Sequence, residues 1–116
     1  MKKEETDKRT SFRHPVKGAT LQYKTGRPCL VINISRGGIN FLSQEPLKPN
    51  ILITMKITFP EGVPSLTVKG QVCWCLPGLG RSDEYQVGVQ FLPFEKKRGS
   101  NDPRLLDKLI KLENCN

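Results

Sequence analysis

The stretch Ile51-Leu52-Ile53-Thr54-Met55-Lys56-Ile57-Thr58-Phe59 decides the fold class. Ile51, Ile53, Met55, Ile57 and Phe59 hold every second position, with Thr54, Lys56 and Thr58 between them. Side chains alternate across a β-strand with a period of two, so one face of this segment is apolar and the other mostly polar. Pro60-Glu61-Gly62-Val63-Pro64 stops it with turn residues. Downstream, Leu66, Val68, Val72, Trp74 and Leu76 share one parity, and Tyr85, Val87, Val89 and Phe91 share another. Upstream, Ala19, Leu21 and Tyr23 alternate with Thr20, Gln22 and Lys24. Between these, Leu30, Ile32 and Ile34 face one way, Val31, Asn33 and Ser35 face the other, and Ile39-Asn40-Phe41-Leu42 resumes after Gly37-Gly38.

Turn signals separate these runs: Thr25-Gly26-Arg27-Pro28, the pair Pro46 and Pro49, and Pro77-Gly78-Leu79-Gly80. Short strands at about 8–12-residue spacing, with no helical pattern between them, predict an antiparallel barrel or sandwich. A closed barrel also removes exposed strand edges. The fold expected is therefore all-β, a six-stranded antiparallel β-barrel with a C-terminal helix. Asp102 is placed to cap that helix and Pro103 to occupy its first position. Leu105, Leu106, Leu109, Ile110 and Leu112 supply its apolar stripe. The division expected is an arm over residues 1–14, a barrel over 15–99 and a helix over 100–116, all in one domain.

A chain of 116 residues is long enough to build one core without staples. Its net charge of +8 favours anionic partners. No apolar run approaches the roughly 20 residues of a membrane span. Met1-Lys2-Lys3-Glu4-Glu5 has no apolar segment behind its lysines, so it is not a secretory signal. A cytoplasmic protein is expected, with its four cysteines as reduced thiols.

Nothing in the chain argues for an enzyme. His14 is the one histidine, and no carboxylate or cysteine in sequence pairs with it. Cys73 and Cys75, two apart, are read as facing one side of a strand, and zinc would need two further ligands. Asp83 and Glu84 are adjacent in a loop, and no phosphate loop of the Gly-x-x-x-x-Gly-Lys type occurs. No cofactor and no metal are expected.

Two short motifs carry the chemistry. Lys8-Arg9-Thr10-Ser11-Phe12-Arg13 sets two arginines four apart on a polar arm. An arginine fork meets both acceptors of a guanine edge at once, stacks on a purine face, or grips a phosphate with two bonds. Asn33-Ile34-Ser35-Arg36-Gly37-Gly38 sets two hydrogen-bonding side chains two apart, then two glycines. Asn33 and Ser35 can bind the ring edge and exocyclic amine of a base. Gly37 and Gly38 permit positive φ and a close approach of ligand to backbone.

In this order the motifs resemble those of the PilZ domain, the bacterial receptor for cyclic di-GMP. Arg9 and Arg13 match its R-x-x-x-R arm, and Asn33, Ser35 and Gly38 match its D/N-x-S-x-x-G strand end. Trp74 on a late strand and Gly88-Val89-Gln90-Phe91 extend the likeness, which spans roughly residues 8–114. The resemblance implies cyclic di-GMP as ligand, with guanine and phosphate contacts from Arg9 and Arg13. Asn33 stands where the family often carries Asp. Lys8 stands where many relatives carry a third arginine, and it either adds a phosphate contact or is solvated. An unknown downstream protein would read the bound state.

Two other readings remain. A small basic barrel can bind single-stranded nucleic acid by stacking bases on exposed aromatics. Tyr23, Phe59, Trp74, Tyr85 and Phe91 share the apolar strand faces, which leaves Phe12, Phe41 and Phe94 for that role and makes nucleic acid the weaker partner. A PilZ-like adaptor that does not bind the ligand is the other.

Overall fold

Residues 14–15, 18–24, 27–60, 62–77 and 84–114 are described in a computed structural model of the chain. The strands are β1 (His14–Pro15), β2 (Thr20–Gln22), β3 (Cys29–Ile34), β4 (Gly38–Ser43), β5 (Leu52–Thr58), β6 (Leu66–Pro77) and β7 (Tyr85–Phe91), followed by helix α1 (Pro103–Asn114). Pairing runs β3–β2–β5–β6–β7–β4, and β4 closes back onto β3. Every pair is antiparallel. Six strands thus form the expected closed barrel. The two-residue β1 pairs with the far half of β3, in line with β2 on the same edge, so β1 and β2 behave as one interrupted strand.

The alternation that predicted β5 holds through its second half. Met55, Ile57 and Phe59 are buried, while Thr54, Lys56 and Thr58 are exposed. With Leu21, Ile39, Phe41, Val68, Val72 and Val87 they form the core that the barrel encloses. Burial of such side chains stabilises by roughly 1.5–3 kcal/mol each relative to exposure. Phe41 is one of the aromatics left as candidates for base stacking. It is fully buried and packs against Tyr23, with ring centroids 5.9 Å apart. Phe94 is half-buried and meets Phe91 edge-on at 6.2 Å.

Two β-bulges overturn the simple parity. The register shifts between Val31 and Asn33 in β3, and between Val72 and Trp74 in β6. A bulge sets two residues against one, so every side chain beyond it changes face. In β3 the inward residues are Cys29, Val31 and Ile34, while Leu30 is 52% exposed. In β6, Trp74 and Leu76 leave the face shared by Leu66, Val68 and Val72 and turn outward, Leu76 being 54% exposed. Cys73 and Cys75 no longer share a face either. Cys73 is exposed, whereas Cys75 is half-buried and its Sγ accepts from the Leu47 amide at 3.4 Å.

The helix begins as the sequence predicts. Asp102 Oδ1 accepts from the Arg104 amide at 2.9 Å, an N-cap bond, with Pro103 at the first helical position. Hydrogen bonds from the Arg104 side chain, together with that amide, hold the Asp102 carboxyl down to about 2. A depressed carboxyl contributes above its ordinary range, so this cap is lost only as pH falls through about 2. Leu109 carries the helix into the core.

Asn101, which the strand and helix patterns do not reveal, fastens the connection between barrel and helix. It is 2% exposed. Its Oδ1 accepts from the Lys69 amide at 2.7 Å, and its Nδ2 donates to the carbonyls of Lys69 and Leu92 at 2.9 and 3.0 Å. Asn101→Ala leaves buried backbone groups unpaired, and should destabilise by about 2–3 kcal/mol. That corresponds to a fall in Tm of roughly 10 °C in a thermal melt. A Tm unchanged within error would show that these bonds are replaced by water.

Among the described residues no helix is long and apolar enough to cross a membrane. No three His, Cys, Asp or Glu side chains among them are placed to hold a metal ion.

Candidate functional site

The second motif forms the turn from β3 into β4. The Ser35 amide donates to the Gly38 carbonyl at 2.9 Å, and the Gly37 amide donates to Ser35 Oγ at 3.1 Å. Ser35 is buried, and its hydroxyl holds the turn in shape. The Phe91 amide donates to the Gly37 carbonyl at 3.0 Å, which ties the turn to the end of β7.

Gly38 is required for a reason other than the one its sequence context suggests. Its φ is not positive; the positive-φ glycines among the described residues are Gly18, Gly62 and Gly99. Instead, a Cβ at Gly38 would collide with the Val89 carbonyl oxygen of β7. Gly37 is exposed.

Asn33 lies just before the turn, half-buried, beyond the β3 bulge. Its Oδ1 accepts from Asn40 Nδ2 at 3.1 Å across the β3–β4 pair. The pairing Asn33↔Asn40, Asn40↔Gly88 and Gly88↔Trp74 runs one row across four strands. Directly paired residues project from the same face, so this row decorates the outside of the barrel. At its far end the indole of Trp74 lies over Gly88, where a Cβ would collide with the ring. The adjacent outer row is Leu30, Leu42, Gln86 and Leu76. These two rows carry no charged side chain, in a chain of net charge +8. The result is an uncharged platform with two amides at one end and an indole at the other.

Lys8, Arg9 and Arg13 lie outside the described residues. The chain that follows them is anchored at the site. His14 pairs with Ile34, and Pro15 pairs with Asn33. Sequence reasoning missed Asn40, and it set Trp74, a residue of the family likeness, on the apolar face. A lone polar residue between Ile39 and Phe41 was a usable sign of the first. Only the bulge reveals the second.

Elsewhere, a cleft of about 640 Å³ opens at the start of α1, lined by Glu95, Lys96, Lys97, Ser100, Asp102, Pro103 and Arg104. None of the motif residues among the described residues lines it. The thiol of Cys29 is buried, and burial pushes its pKa up, so it is a poor nucleophile.

The model of the PilZ domain family matches residues 7–106 of the chain. Two solved structures share its fold. The inhibitor of motility MotI/DgrA of Bacillus subtilis superposes with a TM-score of 0.61 at 18% identity, over 95% of this chain and 53% of that one. The MrkH–c-di-GMP complex of K. pneumonia superposes with a TM-score of 0.59 at 20% identity, over 95% of this chain and 56% of that one. The chain thus spans about half the length of either. No curated protein matches it in sequence.

Proposed function

The chain belongs to the PilZ domain family, and from that premise we propose that it is a bacterial receptor for cyclic di-GMP, non-catalytic and cytoplasmic. The observation that carries the proposal is the convergence of the two motifs. The arm bearing Arg9 and Arg13 joins the barrel at β1, and β1 pairs with the very residues, Asn33 and Ile34, that open the second motif. Consecutive Cα atoms are about 3.8 Å apart, so Arg13 is tethered one residue from the site and Arg9 five. That MrkH, a protein of the same fold, was solved with c-di-GMP supports the choice of ligand.

In this function Arg9 and Arg13 grip a guanine edge and the phosphates, and Lys8 adds a phosphate contact. Asn33 meets a base edge on the outer face. Ser35 holds the turn, Gly37 admits the ligand to the backbone, and Gly38 lets β4 lie against β7. Binding draws the arm, residues 1–14, over the barrel, residues 15–99. The closed arm and helix α1 together present a changed surface to a downstream protein. Ordering about five arm residues costs roughly 5–10 kcal/mol, which the charge-assisted arginine bonds offset. Net affinity is accordingly modest, about micromolar, near −8 kcal/mol.

Titration calorimetry of the full chain with cyclic di-GMP tests this directly. Fluorescence of Trp74, the one tryptophan, provides a second signal from the same platform. Asn33→Ala should bind about fivefold more weakly, and Asn33→Asp at least as tightly as the wild type. No heat at millimolar ligand, with tight binding of single-stranded DNA instead, would replace this function by nucleic-acid binding.

A further inference from the structure

We propose that Asn40 is a positioning residue of this site: its buried amide turns together with the Asn33 amide, so that the pair presents one defined end of Asn33, donor or acceptor, to the bound base. The proposal rests on the receptor function above. Asn40 sits between Ile39 and Phe41, whose side chains enter the core, so its own lies on the outer face beside Asn33. There it is only 6% exposed. Its Nδ2 donates to Asn33 Oδ1 at 3.1 Å, while its Oδ1 is buried with no hydrogen-bond partner among the described residues. Buried polar atoms are nearly always paired, so an orphaned oxygen in direct register with a motif residue calls for a reason.

An asparagine amide is two-sided, with two N–H donors at one end and a carbonyl acceptor at the other. As arranged in the structure, Asn33 spends its oxygen on Asn40 and is left with its NH2 group for a ligand. Half a turn of both amides reverses this. Asn33 Nδ2 then donates to Asn40 Oδ1, and Asn33 Oδ1 faces outward. The first arrangement suits an acceptor edge, such as O6 and N7 of guanine. The second suits a donor edge, the N1–H and 2-amino group of guanine. Each leaves one end of the Asn40 amide unsatisfied, the oxygen in the first and the nitrogen in the second. Neither is therefore strongly favoured without ligand, and the base selects between them.

An aspartate at position 33 would present acceptors whichever way it turned, and would need no such partner. Asn40 thus holds the neutral Asn33 in the direction the base selects, a hold that a carboxylate does not need. The pair, rather than Asn33 alone, sets the preference for the base edge.

The test is calorimetry on the full chain with cyclic di-GMP and with its di-inosine analogue, which lacks both exocyclic amines. Wild type should favour the guanine ligand. Asn40→Leu is close in size and removes the orphaned oxygen, so its Tm should be retained or raised. It should bind cyclic di-GMP about fivefold more weakly and lose most of the preference over the inosine ligand. In the Asn33→Asp background the same substitution should change affinity less than about twofold. A merely structural role would weaken both ligands equally and keep their ratio, which overturns the proposal. A second measurement needs no variant. The side-chain amide NMR signals of Asn33 and Asn40 should both shift on adding cyclic di-GMP. A shift confined to Asn33 also overturns it. If wild type binds neither ligand, the receptor function itself falls, and this proposal with it.

Discussion

Gly38→Ala should destabilise the ligand-free protein by about 3 kcal/mol or more, a loss seen before any ligand is added. The added methyl would meet the Val89 carbonyl oxygen, which belongs to the backbone of β7. Gly38 and Gln90 are paired in the β4–β7 ladder, so relief requires the two strands to part. Their separation would disturb the neighbouring Ile39↔Val89 pair, both of whose side chains are buried. Gly88→Ala makes the informative contrast. There the added methyl meets the indole of Trp74, a side chain that can swing away. Gly88→Ala should cost less, and Trp74→Ala should restore much of the loss. Truncating a side chain cannot rescue Gly38→Ala. Thermal melts of the four variants in the absence of ligand decide the matter. A Gly38→Ala protein as stable as wild type would return this glycine to a purely ligand-facing role.

The glycine shows where the sequence is readable and where it is not. Strands announce themselves through alternation, and β5 could be read from Met55, Ile57 and Phe59 because nothing interrupts its pleat. The helix start was legible because an N-cap and a first-position proline act within one turn, and Asp102 and Pro103 do so. The bulges in β3 and β6 carry no local signal: an inserted residue such as Ile32 or Cys73 is ordinary in a strand. Assignments that counted through them put Leu30, Trp74 and Leu76 on the wrong face. Phe41 was misplaced for a related reason, since its strand was too short to fix a parity of its own. Contacts between distant strands were equally hidden. The need for glycine at 38 arises from β7, and the role of Asn101 arises from Lys69, more than thirty residues away in sequence. Turn chemistry gave the position of the site. Tertiary register gave Asn40, and it turned Trp74 outward.

The largest expected effect on binding is that of the arm. Arg9→Ala and Arg13→Ala should each weaken cyclic di-GMP by about 2 kcal/mol, roughly thirtyfold, through lost charge-assisted bonds. The double variant should fall short of the sum if the two forks share one phosphate, because neighbouring contacts couple. Arginine and lysine separate charge from shape. Arg13→Lys keeps the attraction to phosphate but cannot pair with two acceptors of a guanine edge in one plane. It should therefore retain most of the salt dependence of binding while recovering only part of the affinity. The same variants should leave the Tm of the ligand-free protein unchanged, since the core of the described residues is built from β2 to β7 and α1. Ligand should raise the Tm of wild type, by mass action, and not that of the double variant. These outcomes distinguish an arm that grips the ligand from one that merely precedes a barrel. Wild-type affinity in both single variants would assign the ligand to the Asn33 platform alone. A lowered Tm without ligand would instead make the arm part of the fold.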